Sequence, residues 1–355
     1  MKLSSHGVVV QDSFNLDELE LQLVNALQLN PRAPWNLIAG LLGVDPVTVA
    51  RRWERLAGVG LVWISVYPGT PWDWNVVGAN IYVRCTAGKA GAVADTLLDD
   101  HRVATIEHIT GDGDLSLTVF TPNLAELSSF VLTSLGAIPG VRDCRTHVMT
   151  AVYTEGSRWR LRALSSAQTD RILASRPPSQ PKPSGPLSVV DQRLYAALEL
   201  DGRAGFAELG ERVGISASTA RRRLNSLLGG DRIVMRCEVA QPVSGWPISA
   251  SLWCRVRPAD LDHVATQLAR LPETRSCASV TGGRANLLLS VWLRSAADIH
   301  RLEAALADQV DDLQILDVAL SLQHVKRMGR LLDGKGRAVG VIPLIAHNEA
   351  VVSDG

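Results

Sequence analysis

The stretch from residue 214 to residue 227 reads GISASTARRRLNSL. It predicts a helix with a defined start, because the hydroxyl of Ser216 can accept a hydrogen bond from a free amide of the first turn. Ala220, Leu224 and Leu227 recur at helical spacing and predict one apolar face. Small hydroxyls followed by arginines lie on the opposite face and suit the DNA major groove, where arginines reach guanines or phosphates. The alternative is an amphipathic surface helix with a solvated basic face.

The same pattern occurs once more, 171 residues upstream. Residues 43–56 read GVDPVTVARRWERL, and Asp45 takes the place of Ser216 as the helix cap. Pro46 occupies the first helical position, where its missing amide costs nothing. A register that is kept without a gap over this distance indicates a duplicated chain.

Each repeat predicts two domains. Three helices with a glycine turn before the third, followed by a strand, are typical of a winged helix-turn-helix, here residues 16–67 and 187–240. The order strand, helix, strand, strand, helix, strand at 79–153 and 249–325 is that of a ferredoxin-like βαββαβ unit. The predicted fold class is therefore α+β, with two winged helix-turn-helix domains alternating with two ferredoxin-like domains. The remaining segments are a leader (1–15), a connecting helix with a proline-rich linker (154–186) and a tail without a predicted place (326–355).

Composition limits the functional class. The 355 residues carry 36 basic and 36 acidic side chains, which argues against non-specific polyanion binding but leaves a local basic helix free to bind DNA. We expect no membrane partner and a cytoplasmic location, because no apolar run has membrane length and the start does not resemble a signal peptide. The five cysteines are scattered and predict reduced thiols without a metal site.

Several short motifs combine across residues 16–153 and 187–325. In the second helix-turn-helix they are Asp201-Gly202-Arg203, Gly214-Ile215-Ser216 and Arg223-Leu224. In the first β-rich unit they are Thr110-Gly111-Asp112-Gly113-Asp114 and Pro139-Gly140-Val141. With this combination the chain resembles the leucine-responsive regulator/AsnC (Lrp/AsnC) family of bacterial and archaeal transcription regulators. Members are usually one such unit and work as dimers, so this chain resembles two units fused into a pseudo-dimer.

The resemblance implies an effector-binding, oligomerising ferredoxin-like domain, with an amino acid or related small metabolite as effector and no other cofactor. Carried over by position, its glycine-containing turn corresponds to Thr110, Gly111, Asp112 and Asp114 in the first unit, and to Thr281, Gly282 and Asn286 in the second. A carboxylate can hold a ligand ammonium, whereas asparagine brings no charge. We therefore hypothesise that the first unit senses and the second mainly scaffolds. The alternative is that the aspartates only shape a turn.

The two third helices differ in the side chains they offer to double-stranded DNA. The predicted DNA-binding set of the second repeat is Ser216, Ser218, Thr219, Arg221, Arg222 and Arg223, with Arg223 a phosphate contact or an internal support. The set of the first repeat is Val47, Thr48, Arg51, Arg52 and Arg55. Two different readers on one scaffold predict an operator with unlike half-sites about one helical turn apart, or a multiple of it. The alternative for the first helix is that it only supports the fold.

The sequence does not predict an enzyme, since no nucleophile elbow, phosphate-binding glycine loop or zinc-binding His-Glu-x-x-His pair is present. The strongest enzymatic alternative is a sirohaem decarboxylase, because such enzymes resemble this family and bind a tetrapyrrole between their β-rich domains. His101, Arg102 and His108 lie in or before the second strand of the first unit. A third alternative is a partner that co-oligomerises with other family members without binding DNA. Self-association through the ferredoxin-like domains is expected.

Overall fold

The structure is a computed structural model that describes residues 15–69, 76–181, 187–310 and 312–344. The predicted leader, apart from its last residue, lies outside the described residues. The same holds for residues 182–186 of the proline-rich linker and for the tail beyond residue 344.

The first repeat begins with three helices and a strand. The side chain of Asp17 accepts the amide of Glu20 at 2.8 Å, and the Glu20 carboxylate accepts the amide of Asp17, so a capping box starts the first helix. Gly43 ends the second helix with φ +68°, a left-handed conformation that favours glycine. The elements are α1 (Glu18–Leu29), α2 (Trp35–Leu42), α3 (Pro46–Gly58) and β1 (Val62–Pro68).

The first ferredoxin-like unit follows in the predicted order. Its strands and helices enclose a core in which Ile81, Leu117 and Phe130 are fully buried. The elements are β2 (Val77–Cys85), α4 (Ala90–Thr96), β3 (Val103–Ile109), β4 (Leu115–Thr121), α5 (Leu124–Ser129), which continues as a π-helical turn (Phe130–Leu135), and β5 (Val141–Thr154).

The connection to the second repeat is less helical than the sequence predicts. Within its described part, residues 154–181, only a 3-10 turn (Gly156–Arg158) and α6 (Ser166–Leu173) are helical. The reason is that buried amides of α1 bind the intervening backbone in an extended form. Asn25 Oδ1 accepts the amide of Ala163 at 2.8 Å, and Gln28 Oε1 accepts the amide of Leu161 at 2.9 Å.

The second repeat has the same order of elements and continues into the tail. Two short strands follow β10, so part of the segment that the sequence left without a place belongs to the sheet. The elements are α7 (Val189–Leu200), α8 (Phe206–Val213), α9 (Ala217–Gly229), β6 (Ile233–Val239), β7 (Ile248–Arg255), α10 (Leu261–Leu268), β8 (Thr274–Thr281), β9 (Leu287–Leu293), α11 (Asp298–Gln309), β10 (Gln314–Arg327), β11 (Arg330–Leu332) and β12 (Ala338–Val341).

The two helix-turn-helix domains form one body with a shared core. Strand β1 pairs antiparallel with β6, from Val62 opposite Val239 to Pro68 opposite Ile233. The predicted wings are therefore not two free hairpins. They form a single two-stranded ribbon that joins the repeats.

A reciprocal pair of arginines fastens the two helix-turn-helix domains to each other. Arg32 donates to the carbonyl of Ala204 at 2.9 Å, and Arg203, 171 positions later, donates to the equivalent carbonyl of Ala33 at 3.2 Å. Each guanidinium also lies over the aromatic residue that begins the second helix of the other repeat, namely Phe206 and Trp35. The exchange is the pattern of an isologous interface, in which each contact occurs twice.

The ferredoxin-like units share their edge strands. Around the sheet the order is β10-β3-β4-β2-β5-β8-β9-β7, and β7 pairs with β10. The last strand of each unit thus pairs with the second strand of the other unit, and these eight strands close into a ring. Among the described residues, no helix combines the length and the hydrophobicity needed to cross a membrane.

One seam of the ring contains a lysine without solvent exposure. Lys326 of β10 donates to the carbonyls of Leu98 at 2.8 Å and Asp100 at 2.9 Å, in the loop before β3. Burial lowers its pKa to about 8.

The ammonium group of Lys326 holds its proton more tightly in the unfolded chain than in the folded one. The cost of burying the Lys326 charge is therefore fully present below pH 8 and decreases as the pH rises towards 10.5. We expect the unfolding free energy of the parent, relative to Lys326→Met, to rise by up to about 3 kcal/mol over this range. Urea unfolding of both proteins at the two ends of the range measures it. A difference that stays constant with pH would contradict the prediction.

Candidate nucleic-acid interface and ligand sites

Helix α9 presents a polar face to solvent. Ser216 Oγ accepts the amide of Thr219 at 3.2 Å and caps the helix, while Thr219 itself is half-buried. Ser218, Arg221 and Arg222 are exposed. The face formed by Ala220, Leu224 and Leu227 is buried.

Helix α3 occupies the corresponding place in the first repeat. Asp45 Oδ1 accepts the amide of Val47 at 2.7 Å, and the Val47 side chain beyond this cap is 73% exposed. Thr48 is half-buried, whereas Arg51 is exposed. The apolar face again packs inward, through Val49, Trp53 and Leu56.

Three arginines of the predicted DNA-binding set bind within the protein. Arg223 lies 3.1 Å from Asp191, and Arg52, at the equivalent position, lies 3.0 Å from Glu20. Arg55 also pairs with Glu20. In each repeat the third helix is therefore tied to the start of the first helix. For Arg223 this is the internal support that the sequence left open, and the matching acidic residues 171 positions apart were a signal for it.

The turn of the first ferredoxin-like unit contains one engaged and one exposed aspartate. Gly111 has φ +90°, and Asp114 Oδ2 accepts the amide of Cys85 at 2.7 Å. Thr110 exchanges two hydrogen bonds with Leu320 of β10, each of 2.9 Å.

Asp112 projects from this turn with 68% of its side chain exposed. Its Oδ2 lies 3.7 Å from Arg84 and 3.8 Å from Arg145. The exposed part of the turn is therefore a carboxylate between two guanidinium groups.

The turn of the second unit has an equivalent of the engaged Asp114, but Gly283 takes the place of the exposed Asp112. Asn286 Oδ1 accepts the amide of Val256 at 2.9 Å, and its Nδ2 donates to the carbonyl of Val256 at 2.8 Å. Val256 lies 171 positions after Cys85, so the hydrogen bond from the Val256 amide to Asn286 is equivalent to the one from the Cys85 amide to Asp114. Gly282 has φ +110° and packs so closely on the Thr146 carbonyl that a Cβ would lie 2.6 Å from it, while Thr281 pairs with Val148 of β5.

A cavity of about 510 Å³ lies between the ring of strands and the β1–β6 ribbon. Hydroxyl and amide side chains from both units line it, together with His101 and Arg102. Arg102 is paired with Asp100 at 2.6 Å. His324 Nε2 lies 2.9 Å from Glu107 Oε1. Burial acts to raise the pKa of Glu107, but His324, Ser321 and Arg327 together lower it.

Three arginines that sequence reasoning missed also line this cavity. They are Arg236 of β6, Arg275 of β8 and Arg327 of β10, and they surround the buried Glu238. Burial acts to raise the pKa of Glu238, but the three guanidinium groups hold it at about 2. No sequence motif predicts this cluster, because its members lie on three strands that do not pair with one another and that meet only where the β1–β6 ribbon packs on the ring.

Comparisons with known proteins agree with this architecture. The AsnC-type helix-turn-helix domain matches residues 16–57 and 187–228, and the Lrp/AsnC ligand binding domain matches residues 79–159 and 249–331. The HTH-type transcriptional regulator FL11 of Pyrococcus abyssi is 27% identical over 143 residues, which are 40% of this chain and 93% of the relative. The HTH-type transcriptional regulator Rv2324 of Mycobacterium tuberculosis is 34% identical over 123 residues, which are 34% of this chain and 80% of the relative.

Two solved structures of the siroheme decarboxylase NirDL match both repeats at once. The siroheme decarboxylase NirDL, in co-complex with an iron-uroporphyrin III analogue, superposes with a TM-score of 0.56 at 15% identity. The match covers 88% of this chain and 93% of that chain, and it shows a shared fold. The resemblance and the fold class expected from the sequence are confirmed by the repeated domain matches. The chain belongs to the Lrp/AsnC family and carries two AsnC-type helix-turn-helix domains and two Lrp/AsnC ligand binding domains in tandem.

Proposed function

We propose that this chain is a sequence-specific DNA-binding transcription regulator that reads unlike half-sites with two different helices. The observation that carries the proposal is the pair of exposed N-terminal helix faces, α3 and α9, on one body. The family membership supports DNA binding in general. The differences between the two faces support the unlike half-sites.

The readers differ at matching positions. Where α9 has Ser218 and Arg221, α3 has Val47 and Ala50. A serine and an arginine can hydrogen-bond to base edges, whereas a valine 73% exposed can contact a thymine methyl group. Arg51 and Arg222 occupy equivalent exposed positions and are the shared base or phosphate contacts.

We further propose that an amino acid or related metabolite binds at the turn of the first unit. Asp112 can hold an ammonium group, and the neighbouring Arg84 and Arg145 can hold a carboxylate. The second unit has Gly283 instead of Asp112 and lacks this carboxylate. Thr110, Gly111 and Asp114 then shape the turn, as Thr281, Gly282 and Asn286 do in the second unit.

Location and assembly follow from the same proposal. A DNA-binding regulator works in the cytoplasm, where its five cysteines, all free in the structure, stay reduced. We also propose further self-association through the ferredoxin-like domains, beyond the pairing of the two units within the chain.

A second candidate function is decarboxylation of a tetrapyrrole. It is favoured by one observation, the cavity between the two units that His101 and Arg102 line, in a chain that shares the two-repeat fold of NirDL. The exposed Arg221 and Arg222 favour the regulator, because they suit contacts to DNA and do not line the cavity in which a tetrapyrrole would bind.

Selection of bound duplexes from random DNA tests the two-reader proposal. The parent should enrich an asymmetric motif, because its readers differ. Arg222→Ala should lose one half of the motif and Arg51→Ala the other, each at a cost of about 1–3 kcal/mol in binding. Arg223→Met is the matched control, since it breaks the internal contacts to Asp191 and Ser188 and should leave the motif unchanged.

Two outcomes would decide against the proposal. A strictly palindromic motif would show that the readers are equivalent. No enrichment even at low salt, where phosphate contacts are strongest, would end the DNA-binding proposal and favour a co-oligomerising partner or an enzyme.

Thermal shift with the protein amino acids, followed by calorimetry of any that bind, tests the effector site. Asp112→Asn should weaken binding about tenfold or more, because a hydrogen bond to a charged group contributes about 1.5–3 kcal/mol. The exposed Asp95→Asn on α4 is the charge-matched control and should bind as the parent does. Equal occupancy of both turns in one chain would contradict sensing by the first unit alone.

Incubation with an iron-uroporphyrin III analogue tests the second candidate. We expect no retained absorbance after desalting, because the Arg102 guanidinium is already committed to Asp100. Retained colour together with release of carbon dioxide would establish the decarboxylase.

A further inference from the structure

One guanidinium in the cavity, that of Arg327, is buried near Glu238 but forms no direct ion pair with it. Arg327 is 6% exposed, and among the described residues it has no carboxylate within ion-pairing distance. Its Nη2 donates to the carbonyl of Val239 at 3.4 Å, while its Nε and Nη1 have no hydrogen-bond partner. A buried charge of this kind costs several kcal/mol unless a partner compensates it.

The neighbouring arginines do not supply that compensation. Glu238 is already shared by Arg236 and by Arg275, which lies 3.2 Å from it. Nε of Arg236 is also without a partner. Burial, together with the like charge of Arg236, lowers the pKa of Arg275 far below its ordinary value. The cluster therefore has unused hydrogen-bond donors, although Glu107 and Glu155 also line the cavity.

The arginines are held in place by aromatic rings. Arg275 lies 4.0 Å from the ring centre of Trp292, and Arg327 lies 5.4 Å from the same ring. Stacking fixes the planes of the guanidinium groups, and a fixed plane suits two parallel hydrogen bonds to a carboxylate.

The rest of the wall is polar and made of small side chains. Asn80 is 8% exposed, and its Nδ2 donates to Thr118 Oγ1 at 3.3 Å, while its Oδ1 has no partner. Ser251 and Ser276 line the cavity from the other unit. The volume of about 510 Å³ lies within the ordinary range for small-molecule sites.

We propose that this cavity binds a small organic acid, whose carboxylate pairs with Arg327 and Arg275 and whose hydroxyl or amino group donates to Asn80. The site is distinct from the turn around Asp112 and does not depend on DNA binding. Arg236 and Tyr67 of the β1–β6 ribbon line the same cavity, so the site lies where the two bodies of the protein meet.

Calorimetry and thermal unfolding of the full chain with citrate, succinate and 2-oxoglutarate test the proposal. At least one of these acids should bind with one site per chain and raise the melting temperature. Arg327→Met should weaken that binding about tenfold or more, and it should also raise the melting temperature of the unliganded protein, because it removes a buried unpaired charge. If Arg327 served only to stabilise the fold, Arg327→Met would instead lower the melting temperature of the unliganded protein.

Two further variants keep the test decisive. Ser251→Phe fills the cavity without removing a charge and should abolish binding in a folded protein. The exposed Arg270→Met is the control for loss of one positive charge and should bind as the parent does. Parent-like binding by Ser251→Phe would overturn the proposal, as would failure of all three acids to bind or binding of an iron-uroporphyrin analogue alone.

Discussion

The pairing of edge strands between the two repeats is the constraint on which the rest of this structure depends. A ferredoxin-like sheet has two edges, and an exposed edge carries unpaired amides and carbonyls. Here β5 pairs with β8 and β10 pairs with β3, so each unit completes the edges of the other. Closure of the ring leaves room for a cavity between the units. Closure also means that the edge strands of each repeat are paired only when the other repeat is present.

The same two-fold relation governs the body formed by the two helix-turn-helix domains. The β1–β6 ribbon and the reciprocal contacts of Arg32 and Arg203 hold the two third helices on one rigid support. Arg52 and Arg223 repeat a second internal tie within each domain. These supporting residues are the same in both repeats, whereas the exposed positions of α3 and α9 differ. Fusion permits that divergence, because a homodimer of identical chains must carry the same reader twice.

The charged residues of the cavity also differ between the two repeats. Residues 171 positions apart stand in equivalent places, and Arg236 and Arg275 correspond to Ser65 and Ala104. Glu238 corresponds to Tyr67, which donates to Glu155 at 2.5 Å. The charged cluster is thus a feature of one half of a nearly two-fold cavity. An asymmetric site of this kind accommodates one asymmetric ligand rather than two symmetry-related copies.

The sequence by itself determined the repeat, the order of the elements and the buried faces of α3 and α9, because helical periodicity and capping are local properties of the chain. It also indicated which reader positions differ. Only the tertiary structure decided that Asn25 and Gln28 keep the connecting segment extended, that Arg52 and Arg55 bind acidic residues of α1, and that β11 and β12 belong to the sheet. The arginine cluster and its cavity were equally beyond the sequence. The contacts of Asn25, Gln28, Arg52 and Arg55 and the arginine cluster join separate elements of the chain, and such contacts follow from how whole elements pack rather than from any local pattern.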